Sequence, residues 1–283
     1  RWWIGSYSAL TGGHDTDYFA DDKEDIFAPI RPGETATMHR FPRGPQPGTF
    51  LHGLLELAAE EGFARFADQA YCAERVYPRC QRRNWNEWGN CLTDWLGSLL
   101  AFGGLVPQSG LSLADLQPGQ YQSEMQFLFA AHGVSAEAID QLVRAHTLDS
   151  ADRPALGRDQ LNGLFKGFID LVFEHEGRYW VLDYKSNWLG KDAAAYSEDA
   201  MRKAVLEHRY DLQYVFYVLA LHRQLRARLA DYDYDRHMGG AAYWFIRGVE
   251  AHNGGLWHTR PPRELIEGLD RLFAGQTLEA AHV

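Results

Sequence analysis

The sequence predicts an α/β fold, and three features predict it. Gly167–Phe173 and Tyr179–Ser186 are two runs rich in β-branched and aromatic residues, joined through Glu174–Arg178 with Gly177 as turn residue. Thr49–Phe66 and Tyr210–Ala230, on either side of that hairpin, repeat apolar residues at helical spacing. Gly239–Gly248 then reads as a buried strand. Strands and helices alternate along the chain instead of forming separate blocks.

The hairpin carries the chemistry. A two-residue loop at Glu176–Gly177 sets His175 opposite Arg178. Counting back, Val172 faces Val181, Asp170 faces Asp183, and Lys185 falls opposite Phe168. Side chains alternate across a strand, so Asp183 and Lys185 share a face. Asp170 joins them there, with its Cβ about 5 Å from that of Asp183. Two carboxylates this close repel unless a proton or a cation lies between them. One reading is a solvated pair neutralised by Lys185. The other is a half-buried pair holding a hard divalent cation, most naturally Mg²⁺, with Lys185 free to hold a phosphate oxygen or orient a water. The second arrangement is one for metal-assisted phosphodiester cleavage.

Composition bounds the rest. With 283 residues, 46% hydrophobic and 13% aromatic, the chain can bury one large core or two small ones. It begins at Arg1 and reads as a piece of a longer protein. Its longest apolar stretch, Tyr214–Leu221, is far short of a membrane span, and no signal peptide opens it. The cysteines, Cys72, Cys80 and Cys91, lack C-x-x-C spacing, which argues against a disulfide framework or zinc site and fits a reducing cytoplasm. The net charge of -10 has the wrong sign for holding DNA by bulk charge. Basic residues would have to cluster locally, or partners would have to hold the DNA.

Taken in order, residues 1–48 read as a lead-in segment and linker, and 49–283 as the main domain. Arg1–Ser8 is aromatic enough to dock on the body. Asp15–Asp25 is acidic, and Arg31–Gly48 is rich in Pro, Gly and Arg. There Arg40, Arg43 and His39 either touch phosphates or belong to a solvated linker. Thr49 is the expected N-cap of a helix running to Phe66. Its stripe is Leu51, Leu54, Leu55, Ala58, Gly62 and Phe66. His52 and Glu56, four apart, share a neighbouring face. Cys72–Arg83 carries Arg75, Arg79, Arg82 and Arg83 and by itself assigns no chemistry. Asn84–Leu100 reads as helical, with Trp85, Trp88 and Trp95 as core, and Leu111–Leu116 as a short turn-and-helix piece. Tyr121–Phe129 alternates like a strand, with Glu124 on the face opposite Met125 and Phe127. Residues 134–147 read as a polar helix, and Leu161–Phe165 leads into the hairpin. After it come a loop at Gly190–Ser197, a helix or loop at Asp199–His208, and the helix Tyr210–Ala230. That helix has an apolar face of Leu212, Val215, Phe216, Leu219 and Leu225, and carries Gln213 and Tyr217 on another. Asp231–Asp235 is an acidic link, and 262–275 a terminal amphipathic helix whose following residues should fray.

Gly-Phe-Ile-Asp-Leu-Val-Phe at 167–173, a short turn, then Val-Leu-Asp-Tyr-Lys-Ser-Asn-Trp-Leu-Gly at 181–190 closely resembles RecB-type nuclease domains (exodeoxyribonuclease V type). More widely, it resembles the PD-(D/E)xK nucleases. Gly48–His52 is similar to the RecB-type helix whose histidine reaches a metal. Leu212-Gln213-Tyr214, Tyr217 and Leu219–His222 are similar to the helix with the Q-x-x-x-Y motif. The resemblance implies a restriction-endonuclease-like fold, a mixed central sheet flanked by helices, that hydrolyses DNA phosphodiesters with one or two Mg²⁺ ions. It implies metal ligands at Asp170, Asp183, His52 and the Tyr184 carbonyl, with Lys185 as catalytic residue and Gln213 and Tyr217 orienting it. Glu124 leans toward the site, and Glu56 stands beside His52. Some relatives carry an iron–sulfur cluster on four cysteines, several near the C-terminus; this chain has none after Cys91, and no cluster is expected. No Walker-type phosphate loop occurs, so ATP hydrolysis is expected in a helicase N-terminal to Arg1. The implied setting is the processing of double-strand DNA ends for recombinational repair, with RecC-like and RecD-like partner subunits. A rival reading is a regulated docking module for those subunits or for the RecA recombinase. A third, a metal-dependent hydrolase of small phosphate esters, needs a closed pocket.

Overall fold

The computed structural model describes residues 3–5, 25–27, 30, 34–156 and 160–275. Most of Arg1–Ser8, Asp15–Glu24, Arg31–Gly33 and the C-terminal residues expected to fray lie outside the described residues. Six strands form one mixed sheet: β1 (Trp3–Gly5), β2 (Tyr121–Ser135), β3 (Gln160–His175), β4 (Arg178–Lys185), β5 (Met238–Phe245) and β6 (Leu256–Thr259). β2 runs antiparallel along almost the whole of β3. The other edge of β3 is shared. β1 pairs with it in parallel at 163–165, and β4 pairs antiparallel at 171–175. Between those two partners lies the stretch ending in Asp170. β4 continues into a parallel pairing with β5, and β5 pairs antiparallel with β6.

The hairpin register is the one the turn predicts: His175 opposite Arg178 and Val172 opposite Val181. Glu176 and Gly177 both have positive φ, 51° and 78°, the mirror-image turn whose twist matches paired strands. The Gly177 N–H also donates to Glu174 Oε1 at 2.6 Å.

Helices cover both faces. One layer is α1 (Pro45–Glu61), α2 (Phe63–Phe66), α3 (Gln69–Gln81) and α4 (Gly89–Ala101); it packs on Leu171, Phe173, Leu182, Tyr184 and Trp244. The other layer is α5 (Ala136–His146), α6 (Glu198–Glu207), α7 (Tyr210–Arg228) and α9 (Arg263–Phe273); it packs on Ile169, Val172, Val181, Tyr243 and Phe245. The short α8 (Tyr234–His237) leads into β5. β5, covered on both sides, is buried at every position, as a strand between two helix layers should be. Trp85, Trp88 and Trp95 are core residues, as expected.

Several boundaries moved for local reasons. α1 begins at Pro45, not at Thr49: proline's fixed φ starts the helix a turn earlier, and the Thr49 hydroxyl donates to the Pro45 carbonyl inside it. Gly62, at φ 100°, ends the helix before Phe66. The segment 134–147 is amphipathic rather than polar, burying Ile139 and Val143, and its first residues extend β2. Near the linker's end, Arg40 pairs with Glu34 at 2.5 Å, Arg43 lies 4.2 Å over the Trp188 ring, and His39 is buried. The fully buried Arg247 gathers the carbonyls of Met38, Phe41, Pro42 and Ser186 at 2.7–3.0 Å, tying the approach to α1 to the end of β4.

A second buried charge cluster anchors the start of α7. Asp211 accepts from Arg153 at 2.8 Å and from Arg209 at 3.1 Å, and all three side chains are 2% exposed or less. Arg209 reaches Asp140 of α5 as well, at 2.5 Å. Removing Asp211 would leave two guanidinium groups short of a counter-charge in the interior. Asp211→Ala is therefore expected to lower unfolding free energy by about 3–5 kcal/mol in denaturant titration. A loss below 1 kcal/mol would show that the cluster contributes little.

Candidate active site

The site forms where β3 passes from one edge partner to the other. The β3–β4 ladder runs to Leu171 opposite Leu182, and the next step of the same register is Asp170 opposite Asp183. There the Tyr184 N–H donates to Asp170 Oδ2 at 2.7 Å, so the carboxylate stands where a main-chain acceptor would otherwise be. The side chains of Asp170, Asp183 and Lys185 are 14%, 6% and 3% exposed, which excludes the solvated-pair reading. Burial and the charge of Asp183 raise the pKa of Asp170 well above the usual carboxylate range. Burial also raises that of Asp183, against the opposing pull of Lys185 and a hydrogen bond from Tyr217.

Lys185 is held on several sides. Its Nζ lies 2.5 Å from Asp183 Oδ2 and donates to Gln213 Oε1 at 2.6 Å. Gln213 Nε2 donates to the Tyr217 hydroxyl at 2.9 Å. One helical turn thus joins Gln213 and Tyr217 into a bracket across Lys185 and Asp183. The ammonium also sits 4.0 Å from the Tyr210 ring centroid and 4.8 Å from that of Tyr243, within cation–π range. The Tyr243 hydroxyl lies 3.0 Å from Gln213 Oε1 and 2.8 Å from the Tyr210 carbonyl. Sequence reasoning missed Tyr210 and Tyr243. Tyr243 lies within a strand that reads as plain core; the available signal was a tyrosine in parallel register with Asp183.

On the opposite side of Asp170, α1 brings His52, whose Nδ1 is 3.7 Å from Asp170 Oδ2. Burial, reinforced by the charge of Lys185, lowers its pKa to about 3. It is neutral at working pH, with a hydrogen bond to the Tyr184 main chain. A pocket of about 180 Å³ is lined here by His52, Glu56, Ser123, Glu124, Asp170 and Tyr184. Glu124 has left-handed φ, 49°, and the register carries it opposite Asp170. It faces the pocket while Met125 and Phe127 face the other core, as alternation predicts. Its pKa is pushed up to about 7, first by its place in the pocket and then by Glu56 and Asp183. Glu56 is exposed on the pocket rim. Among the described residues, no three His, Cys, Asp or Glu side chains already enclose a cation site. The donors at hand are nonetheless those a hard divalent ion takes: two buried carboxylates with raised proton affinity, a neutral imidazole and main-chain oxygen.

The family model of the PD-(D/E)XK nuclease superfamily matches residues 19–281. This chain belongs to the PD-(D/E)XK nuclease superfamily. Over 99% of its length the chain is 42% identical to the RecBCD enzyme subunit RecB of Escherichia coli, covering 24% of that protein. It is 34% identical over 91% of its length to RecB of Haemophilus influenzae, covering 21%. It is 35% identical over 59% of its length to RecB of Mycobacterium tuberculosis, covering 16%. The chain thus spans less than a quarter of the length of these relatives. Among the described residues no helix is long and apolar enough to cross a membrane.

Burial first, and the charge of Asp183 second, penalise an ionised Asp170 in the cation-free site. Asp170→Asn keeps an oxygen to accept the Tyr184 N–H and puts a side chain that cannot ionise in the buried position. In EDTA it is expected to stabilise the chain by about 0.5–2 kcal/mol in thermal or denaturant unfolding. A lower melting temperature than the parent chain would contradict that.

Proposed function

We propose that this chain is the metal-dependent DNA nuclease domain of a RecB-type helicase–nuclease, hydrolysing phosphodiester bonds as double-strand ends are processed for recombinational repair. The observation that carries this reading is the buried Asp170–Asp183–Lys185 constellation, with Lys185 bracketed by Gln213, in a chain so similar to RecB. Asp170, Asp183, His52 and the Tyr184 carbonyl would hold Mg²⁺. When bound, Mg²⁺ supplies Lewis-acid polarisation of the phosphate and lowers the pKa of water.

The chain's own residues do the rest. Lys185 Nζ orients the attacking water and offers positive charge to the phosphate oxygens as negative charge builds up on them. Gln213 fixes one direction of that ammonium, and the rings of Tyr210 and Tyr243 turn their faces toward it at 4.0 and 4.8 Å. Tyr217 holds Asp183 and Gln213 in mutual register. Neutral His52 presents a lone pair rather than a competing positive charge. Glu124, with its pKa near 7, can take or release a proton at the pocket wall.

A helicase N-terminal to the chain and RecC-like and RecD-like subunits complete the proposed assembly, with a cytoplasmic setting. The relatives' names carry no support for RecA as a partner, nor for docking as the main role.

The test is cleavage of linear single-stranded and duplex DNA in Mg²⁺ and in EDTA. Asp183→Ala and Lys185→Ala should each lower the rate by about 10²–10³-fold or more. The variants should differ in binding. Mg²⁺ should raise the melting temperature of the parent chain and of Lys185→Ala, but not of Asp183→Ala. Parent-level cleavage by either variant would overturn the assignment.

A further inference from the structure

Beside the active-site pocket lies a second groove of about 340 Å³, lined by Thr49, Phe50, Gly53, Leu54, Arg79, Arg82 and Arg83. The two cavities meet on α1, since Thr49 and Gly53 line both. The groove is basic where the pocket is acidic. Arg75, one turn earlier on α3, is engaged by Glu61 at 3.0 Å. Arg79, Arg82 and Arg83 form no ion pair among the described residues. Arg82 and Arg83 are exposed. The Arg83 guanidinium rests over Phe50 and Trp85, 5.3 and 5.6 Å from the ring centroids, which fixes its place at the groove wall. Three arginines without carboxylates, in a chain of net charge -10, form a local site for anions rather than part of a general basic surface.

Gly53 marks the passage between the two cavities. It is exposed in the middle of α1, where glycine costs about 0.5–1 kcal/mol relative to alanine. A Cβ there would meet no atom within 4 Å. Neither helix stability nor packing asks for glycine at this position. An open path over the helix does.

We infer that the Arg79–Arg82–Arg83 groove binds the phosphates of a single nucleic-acid strand and leads it across Gly53 to Asp170. Arginine suits this role because its planar fork of donors matches phosphate oxygens. The small volume of the pocket beyond Gly53, about 180 Å³, favours one strand over a duplex. The inference rests on the proposed nuclease reading for the identity of the anion, and binding is therefore measured apart from cleavage.

The measurement is anisotropy of a labelled oligothymidylate titrated with the chain in EDTA, over a range of salt concentrations. The Arg82→Glu/Arg83→Glu double variant should bind at least about tenfold more weakly at low salt. Its slope of log affinity against log salt should be shallower by about 1.4, from two lost phosphate contacts. Gly53→Leu should weaken binding and lower Mg²⁺-dependent cleavage while its melting temperature stays at or above that of the parent. Unchanged affinity and slope in the double variant would overturn the inference, as would full cleavage by Gly53→Leu. Equal affinity of the parent for duplex of the same length would overturn the single-strand assignment. A parent chain that binds through these arginines but never cleaves would refute the nuclease reading and leave the groove standing.

Discussion

Lys185 Nζ lies between Asp183 Oδ2 and Gln213 Oε1, at 2.5 and 2.6 Å, with its side chain only 3% exposed. An ammonium so placed has lost most of its hydration, and leaving it uncompensated would cost several kcal/mol. The surrounding structure answers that cost. Asp183 supplies charge, Gln213 supplies a carbonyl oxygen, and Tyr210 and Tyr243 supply ring faces. Each comes from a different part of the fold: β4 itself, the first turns of α7, and β5. Their convergence requires α7 to start at one place and cross the sheet in one register. The Arg153–Asp211–Arg209 cluster pins that start, and Arg247 pins the end of β4 to the approach to α1. A buried ion-pair cluster and a buried arginine held by main-chain carbonyls, both outside the candidate site, thus hold the elements that form it.

The split edge of β3 explains why the site lies where it does. Where a strand is paired along both edges, its partners' main-chain N–H groups are taken and none is left to hold a side-chain carboxylate. β3 has β2 on one edge throughout, but passes from β1 to β4 on the other. In the interval, Asp170 turns its carboxylate to a main-chain N–H of β4, and Glu124 of β2 takes up a left-handed backbone beside it. Local departures from ideal strand geometry gather at functional positions because the surrounding sheet is strong enough to hold them.

Much of this was legible in the sequence, and the reasons differ by element. The hairpin was readable because turn chemistry and period-two alternation fix the register together, and with it the neighbourhood of Asp170, Asp183 and Lys185. Gln213 and Tyr217 were readable as a pair because four residues is one helical turn. The tyrosine box was not, because a tyrosine in a fully buried strand looks like core until its partner across the sheet is known. Arg247 and Asp211 were hidden for a related reason. Arg247's acceptors are carbonyls some 60 to 210 residues away, and Arg153 is 58 residues from Asp211. No local periodicity encodes contacts at that range. The start of α1 was misplaced because Thr49 resembles a cap, whereas the two prolines before it had already set the helix.

The acidic net charge and the proposed DNA substrate stop conflicting once distance is considered. At physiological ionic strength charges beyond about 8 Å are largely screened, so the total of -10 says little about any one groove. What a phosphate meets is local. The candidate pocket is lined by Glu56, Glu124 and Asp170, and in the proposed reading it would repel a bare strand until a cation is bound. The adjoining groove is lined by Arg79, Arg82 and Arg83, and by the inference above it would hold a strand with or without one. In the proposed reading that division would separate holding from cutting: arginine charge would keep the strand near, while a bound cation would decide when its phosphate can enter. A uniformly basic surface would bind any strand in any position. An acidic chain with a basic groove beside its candidate site would make the proposed route over Gly53 a favourable one.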